Sequence, residues 1–354
     1  MVEYKSILNS SQVMIGCAVV AALATNLYLW LQDKKKSKLP EKWIPVGKIS
    51  NLIMYPLKSA SGVSITSAEC TARGMKEKSS EDGSSAMLQD RSFMIYDEKT
   101  GMFLTAKTDR KVLNISVKSS VQNSVVLSSP ETEEIEVQMP SENGKLSKCL
   151  MHHGEEVNVM DCGDEVAEWL RKVFGKDGSL RLGYYVSDEI AKRKPTDTIW
   201  KKYTGVYNKL RKEDLGAFSD IASYMILTEE SLKELNDRLE PANQVTYKNF
   251  RPNIVVSFTQ SPFAEDNWDW IKIGDKVIMR QVKPCTRCVV ITMNPSNGVY
   301  NKQREPLKTL ESFRQVTDPE QKKLEGKSPV FGQYFGVHHL GSISIGDTVY
   351  IGSN

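Results

Sequence analysis

The chain has little of what marks the commoner catalytic and binding classes. Its four histidines fall as two adjacent pairs, His152-His153 and His338-His339. Neighbouring residues on a strand point to opposite faces, so neither pair makes a convincing metal site. No Gly-rich loop of the Walker or dinucleotide type occurs, so nothing argues that this chain binds NADH itself. A net charge of +3, spread evenly, leaves no footprint for nucleic acid. Six cysteines in 354 residues are too few for a disulfide scaffold and suit a reducing compartment. The length allows one to three domains and a sizeable core.

What is present is one cysteine pair with motif spacing, Cys285-Thr286-Arg287-Cys288, at the end of an apolar strand-like run. A zinc ribbon needs a second such pair, and Cys17, Cys70, Cys149 and Cys162 form none. A thioredoxin-type dithiol opens a helix after its strand, whereas Val289-Val290-Ile291-Thr292 is β-branched and reads as more strand. By itself the motif is compatible with a soft metal ligand or nucleophile, its thiolate favoured by the adjacent arginine. It is equally compatible with two small buried residues in a sheet.

The second clear signal is N-terminal. Residues 14–31 read MIGCAVVAALATNLYLWL, uncharged and mostly apolar, and are followed by Lys34, Lys35, Lys36 and Lys38. The run predicts one membrane-spanning signal anchor, with Tyr28 and Trp30 near the interface and the lysines keeping the following domain on the cytosolic side. A cleaved signal peptide fits poorly: Glu3 offsets Lys5 ahead of the run and no small-residue cleavage pattern follows it.

Beyond Pro40 the pattern is α+β and β-rich. Short apolar runs bounded by turn residues predict strands at 49–57, 93–96, 124–127, 135–138, 157–160, 254–258 and 277–282. Ile273-Gly274-Asp275-Lys276-Val277 echoes Ile345-Gly346-Asp347-Thr348-Val349, each a Gly-Asp turn feeding a strand, as at barrel corners. Val166, Trp169, Leu170 and Val173 predict one helix, with caps among residues 161–164 and an end near Gly175. Leu232, Leu235 and Leu239 predict another, capped by Thr228. These apolar side chains read as core. The polar, Ser-rich residues 76–87 read as a loop, and the basic stretch 191–196 as the boundary between two halves. The organisation expected is an anchor and basic linker over 1–45, a β-rich domain over 46–190 and a second domain over 191–354.

Several stretches together resemble one family. Asn249-Phe250-Arg251-Pro252-Asn253-Ile254, Ala264-Glu265-Asp266-Asn267-Trp268, the Cys285–Cys288 run, Arg304-Glu305-Pro306-Leu307 and Lys327-Ser328-Pro329-Val330-Phe331-Gly332-Gln333-Tyr334 resemble the MOSC domain, named after the C-terminal part of molybdenum cofactor sulfurases. Tyr55-Pro56-Leu57-Lys58-Ser59 and Asp90-Arg91-Ser92-Phe93 resemble the β-barrel-like domain that precedes it in the mitochondrial amidoxime-reducing component family. The resemblance runs in order from about residue 46 to the C-terminus. It implies two β-barrel domains, a molybdenum–molybdopterin cofactor (Moco), and reduction of N-hydroxylated compounds. It also implies electrons from cytochrome b5 and NADH-cytochrome b5 reductase, on a mitochondrial outer membrane with the catalytic part facing the cytosol.

Carried over residue by residue, the resemblance implies that Lys58, Ser59, Arg91, Arg251 and Thr286 contact the cofactor and that Cys288 ligates molybdenum. The residue chemistry agrees: an anionic, pterin-bearing cofactor needs cations, hydroxyls and one soft donor. An arginine entering an apolar strand, as Arg251 does, needs a counter-charge. Arg91 beside Asp90 also reads as a plain ion pair. One segment departs from the family, which commonly shows Asp-Thr-Ser-Pro where this chain has Asp220-Ile221-Ala222-Ser223. Both matching hydroxyls are gone, leaving the backbone N–H groups of Ile221 and Ala222, and the hydroxyl of Ser223, as what remains for an anion. Asp220 is retained and reads at least as well as a turn residue as a catalytic one. Cys285 reads as packing, and Arg287, facing away from both thiols on an alternating strand, as half of a salt bridge. Three classes follow: the reductase, a sulfur-transfer domain, and a cofactor carrier without turnover. The sulfurases carry a pyridoxal-phosphate domain ahead of MOSC, and the stretch before Val46 reads only as an anchor.

Overall fold

The computed structural model describes residues 38–78, 88–120, 123–151, 154–175, 178–191, 193, 197–258 and 261–353. The anchor expected at 14–31 lies outside them, as do His152-His153 and most of the Ser-rich loop. Among the described residues no helix is long and apolar enough to cross a membrane.

Seven strands close into a barrel. Around it run Lys42–Met54, Ile254–Phe258, Tyr224–Thr228, Val330–His339, Val277–Thr286, Trp270–Ile273 and Thr348–Ser353, and the last pairs back with Lys42–Met54. Only Tyr224–Thr228 and Ile254–Phe258 run parallel. The closing strand comes from the other end of the sequence. Lys42–Met54 is long enough to pair along Ile254–Phe258 (Ile49 opposite Val256) and along Thr348–Ser353 (Ile44 opposite Ile351), shifting register at both ladders. Closure removes the open edges that a free sheet would present. Both Gly-Asp turns of the internal echo occur as expected, with Gly274 and Gly346 at φ 55° and 90°, a conformation that glycine adopts without steric cost.

The second unit packs alongside. A four-stranded antiparallel sheet is ordered Phe93–Asp97, Leu180–Tyr184, Glu156–Asp161, Leu146–Leu150. A three-stranded sheet holds Ser116–Ser119, Ser124–Ser129 and Thr132–Gln138. The halves are stitched twice, because Gly341–Ser344 leaves the C-terminal half to pair with Ser67–Thr71. All seven predicted runs fall on strands, the first ending at Met54 and not at Leu57. Helix Asp164–Phe174 starts at Gly163 and ends at Gly175 in the left-handed region (φ 62°). Thr228 caps helix Glu229–Asp237, its hydroxyl accepting the Ser231 N–H at 3.3 Å. Leu239 lies just past that helix, still buried.

Two expectations need correction. Residues Val289–Thr292 form a 3₁₀ turn, not further strand. Ile291 turns inward against Phe250 and Phe331 while Val289 is 37% exposed, and the Thr292 hydroxyl donates back to the Val289 carbonyl at 2.8 Å. Tertiary packing overrides β propensity here. The rings of His338 and His339 do not diverge but stack, with centroids 4.8 Å apart and planes at 19°. The ladder steps from Met279 opposite Val337 to Ile278 opposite His339, so the alternation breaks at His338.

Candidate functional site

Where the two halves meet, a cavity of about 220 Å³ opens between the Lys58 loop, the Arg91 loop, Asn249–Arg251 and the end of strand Val277–Thr286. Lys58, Ser59, Arg91, Arg251, Thr286 and Cys288, drawn from both halves of the sequence, all line it. Cys288 is exposed on its wall, at the point where the strand gives way to the 3₁₀ turn, with extended backbone (φ −130°, ψ −178°). Cys285 also reaches the cavity, but its side chain is buried in an apolar cluster with Met225, Phe250 and Phe331.

The backbone around the cavity is held in sparsely populated conformations. Ser59, Arg91 and Arg251 have φ of 69°, 51° and 56°, half of the six non-glycine residues with positive φ among the described residues. Such positions cost of order 1–3 kcal/mol each and persist only where their surroundings fix them. Those surroundings are visible. Asp90, 1% exposed, accepts hydrogen bonds from the Tyr55 N–H (2.8 Å) and the Asn253 side-chain amide (2.9 Å) and pairs with Arg91. Asn253 in turn accepts the Met225 N–H at 3.1 Å, so one carboxylate ties the Tyr55 strand, the Arg91 loop and the barrel together. Gly332 permits the close packing opposite: a Cβ there would lie 2.8 Å from the Ile226 carbonyl.

The cations are unequally compensated. Lys58, buried, pairs with Asp220 and donates to the Phe218 carbonyl at 2.8 Å, and burial lowers its pKa. For Arg91 burial is the largest influence and opposes the charge, but Asp90, Tyr334 and Tyr55 together raise the pKa on balance. Arg251 has neither advantage. It donates to the Ala60 carbonyl at 2.6 Å and lies over the Tyr55 ring, 4.3 Å from its centroid. Burial pushes its pKa down to about 10, so it stays charged at neutral pH.

Ile221 and Ala222 are not among the lining residues. They pack in a cluster with Tyr207, Leu210 and Val282. The Ser223 hydroxyl is committed to the Ala72 and Asp214 carbonyls, both at 2.8 Å. Only Asp220 of that segment lines the cavity. Among the described residues Arg287 makes no salt bridge: its buried guanidinium donates to the Phe331 and Phe250 carbonyls at 2.8 Å each, and it lines the cavity. Sequence reasoning missed three further lining groups. Asn249 and Tyr334 stood inside motifs quoted for the resemblance, so position alone marked them; Thr105-Ala106-Lys107 carried no signal. The Tyr334 phenol pKa lies well above its ordinary value, chiefly through burial.

The wall therefore offers five cations (Lys58, Arg91, Lys107, Arg251 and Arg287), several hydroxyls and one exposed thiol, and among the described residues no cluster of three or more His, Cys, Asp or Glu could hold a metal. Residues 46–177 match the MOSC N-terminal beta barrel domain and residues 215–350 the MOSC domain. The human protein "Mitochondrial amidoxime-reducing component 1" is 37% identical over 308 residues, 86% of this chain and 83% of its own length. The mouse protein of the same name is 34% identical over 95% of this chain and 90% of its own length. "Mitochondrial amidoxime reducing component 2" from Bos taurus is 35% identical over 86% and 83%. Identity of this extent across both domains places the chain in the mitochondrial amidoxime-reducing component family, a MOSC N-terminal beta barrel domain followed by a MOSC domain.

Proposed function

We propose that the chain is a membrane-anchored oxidoreductase that holds a molybdenum–molybdopterin cofactor and reduces N-hydroxylated compounds, amidoximes and hydroxylamines among them. The observation that carries this is Cys288, an exposed thiol on the wall of a cavity whose other polar groups are mainly cations and hydroxyls. The fit is chemical. A cofactor that brings its own sulfur donors needs one soft protein ligand rather than a cluster, and its anionic parts need Lys58, Arg91 and Arg251. Ser59 and Thr286 add hydroxyls on either side. Asp220 serves through its pairing with Lys58, and Ile221 and Ala222 serve as packing behind it.

When bound, the group supplies the two-electron chemistry that removes the substrate oxygen. The protein's part is placement. The cations neutralise the anionic ligand, the strained loops hold those cations before it arrives, and Cys288 fixes the metal end. Tyr334, kept protonated by burial, is a hydroxyl donor on the same wall. We assign the electron supply to cytochrome b5 and NADH-cytochrome b5 reductase. Mitochondrial location rests on the names of the relatives. The outer membrane and cytosolic orientation rest on family resemblance and on the apolar run 14–31 with its following lysines. Division of the chain at about residue 190 belongs to the same reading.

Purified full-length protein should contain about one molybdenum and one pterin per chain and should reduce an amidoxime with a dithionite-type donor. Absence of both metal and reduction from protein made in cells that synthesise the cofactor would overturn the proposal.

A further inference from the structure

The chain leaves for the proposed anchor from a fixed point on the barrel. Pro40 is buried against Gly352, where a Cβ would lie 2.2 Å from the proline ring, so the path of the chain is set from that residue onward. Strand Lys42–Met54 begins just after it and pairs with Thr348–Ser353, which pairs in turn with Trp270–Ile273. Side chains alternate across a strand. Ile271, Ile273 and Val349 point into the barrel and are fully buried, so Lys272 and Tyr350 point out. The register puts Trp43, Pro45, Lys48 and Thr348 on the same outer face. There the Lys272 ammonium lies between two rings, 4.7 Å from the Tyr350 centroid and 5.7 Å from that of Trp43. Pro45 and Lys48 are exposed, and Ile44 at the rim is 47% exposed. No carboxylate stands at these outward positions, and Glu41 beside them is paired with Lys38 at 3.0 Å.

We infer that this outer face lies on an anionic phospholipid surface, that of the membrane holding the anchor, with Trp43 and Tyr350 among the headgroups and Lys48 and Lys272 against lipid phosphates. Rings with an apolar body and a polar tip, beside lysine stems, are what the boundary between water and hydrocarbon favours. The tether selects the occupant. Only residues 32–39 separate the apolar run from the seated Pro40, and eight residues span at most about 30 Å. A folded partner of about that diameter would take up the whole tether, whereas lipid is within its reach. Tethering keeps the face at an effective concentration on the order of millimolar. Two lysines, each strengthening attachment to an anionic surface about fivefold, then suffice to hold it down. From Trp43 the same strand runs on to Met54, and Lys58 follows in the wall of the cavity. Contact on this face therefore fixes the attitude of the cavity to the bilayer. The inference rests on the anchor of the proposed function and goes beyond it by adding a second, peripheral contact.

The test uses the full-length chain in lipid nanodiscs, one chain per disc, made of phosphatidylcholine alone or with phosphatidylserine added, and carrying a nitroxide lipid at headgroup depth. Trp43 fluorescence is read as the difference between wild type and Trp43→Phe, which subtracts Trp30 and the other tryptophans. In phosphatidylserine discs the nitroxide should quench that emission at least twofold. Lys48→Gln/Lys272→Gln should melt close to the wild-type temperature, yet with attachment weakened about 25-fold it should lose most of the quenching. Wild type in phosphatidylcholine discs should lose it as well. Unquenched Trp43 in discs that have taken up the protein, or equal quenching in the two kinds of disc, would overturn the inference and leave the anchor standing. Failure of the chain to enter discs at all would overturn the anchor, and the inference with it. A Trp43 emission unmoved by the nitroxide, but shifted to the blue when two chains share a disc, would place a second copy of the chain on this face and overturn the lipid contact. Should Trp43→Phe fail to fold, total tryptophan quenching is compared between wild type and the lysine variant, and equal values would overturn the inference.

Discussion

Two sets of buried or half-buried cations are held in opposite ways in this protein. Away from the cavity they are closed. Arg280 makes a two-pronged contact with Asp214, 2.9 Å to each oxygen, and a Cβ on Gly336 would overlap that carboxylate, so the strand is shaped to admit the pair. Arg181 grips Asp161 at 2.8 Å and also Asp164, Arg193 grips Glu155 at 2.7 Å, and Lys283 meets Glu325 at 3.1 Å inside a ring of three tyrosines. At the cavity Arg91 is closed in the same way on buried Asp90, but Lys58 and Arg251 are open. Lys58 is paired with a carboxylate that is itself 47% exposed, and Arg251 has only a carbonyl and an aromatic face. The contrast appears in the arginines' pKa values: the Asp161 hydrogen bond holds Arg181 above its ordinary range, while burial drives Arg251 below it. Closed pairs hold the fold; under the proposed function, the open ones are those that an anionic ligand would compensate.

That comparison breaks most visibly by removing one member of each set. Arg280→Met leaves Asp214 buried and unpaired, and should destabilise the protein by about 3–5 kcal/mol in a denaturant titration. Arg251→Met removes a poorly compensated charge, and should move stability by no more than about 1 kcal/mol. Its effect should fall on cofactor retention, where losing one charge-assisted contact is worth about 1.5–3 kcal/mol, or tenfold to hundredfold in affinity. If Arg251→Met unfolded the protein as readily as Arg280→Met, the distinction would fail.

A smaller effect concerns a buried group with no cation among its partners. Glu265 is fully buried, its carboxyl accepts from the Thr228 and Ser231 hydroxyls at 3.1 and 2.8 Å, and its other oxygen is unpaired. Burial raises its pKa above 4.5. A raised folded pKa means the native state binds the proton more tightly than the unfolded chain does. Its stabilising contribution is therefore complete below about pH 4.5 and is lost as pH rises through the folded value. Glu265→Gln should flatten the pH dependence of stability across that window and should gain relative to wild type at neutral pH. An unchanged slope would mean that the carboxyl stays ionised through some compensation not seen in the hydrogen-bond set.

Most of the strands were legible because half-buried strands leave alternating or apolar runs, and the Gly-Asp turns marked two barrel corners. The exchange of Lys42–Met54 and Gly341–Ser344 between the halves was not, since a hydrophobic pattern fixes a face but not a partner. At the cavity, Lys58, Arg91, Arg251 and Cys288 were legible from motif residues, and the structure brings all four to one wall. Ile221 and Ala222 were chosen by alignment with absent hydroxyls, and their apolar side chains went to the apolar cluster instead. Arg287 defeated a simple alternation argument because the strand ends at Thr286, so its guanidinium turns inward to two carbonyls.

The central claim is that Cys288 supplies the protein's single soft ligand in this cavity. X-ray absorption at the molybdenum edge of cofactor-loaded full-length protein, counting sulfur donors in wild type, Cys285→Ser and Cys288→Ser, tests it directly. The account predicts one sulfur fewer in Cys288→Ser, with amidoxime reduction abolished, and an unchanged count with activity retained in Cys285→Ser. An identical sulfur count in wild type and Cys288→Ser would contradict it.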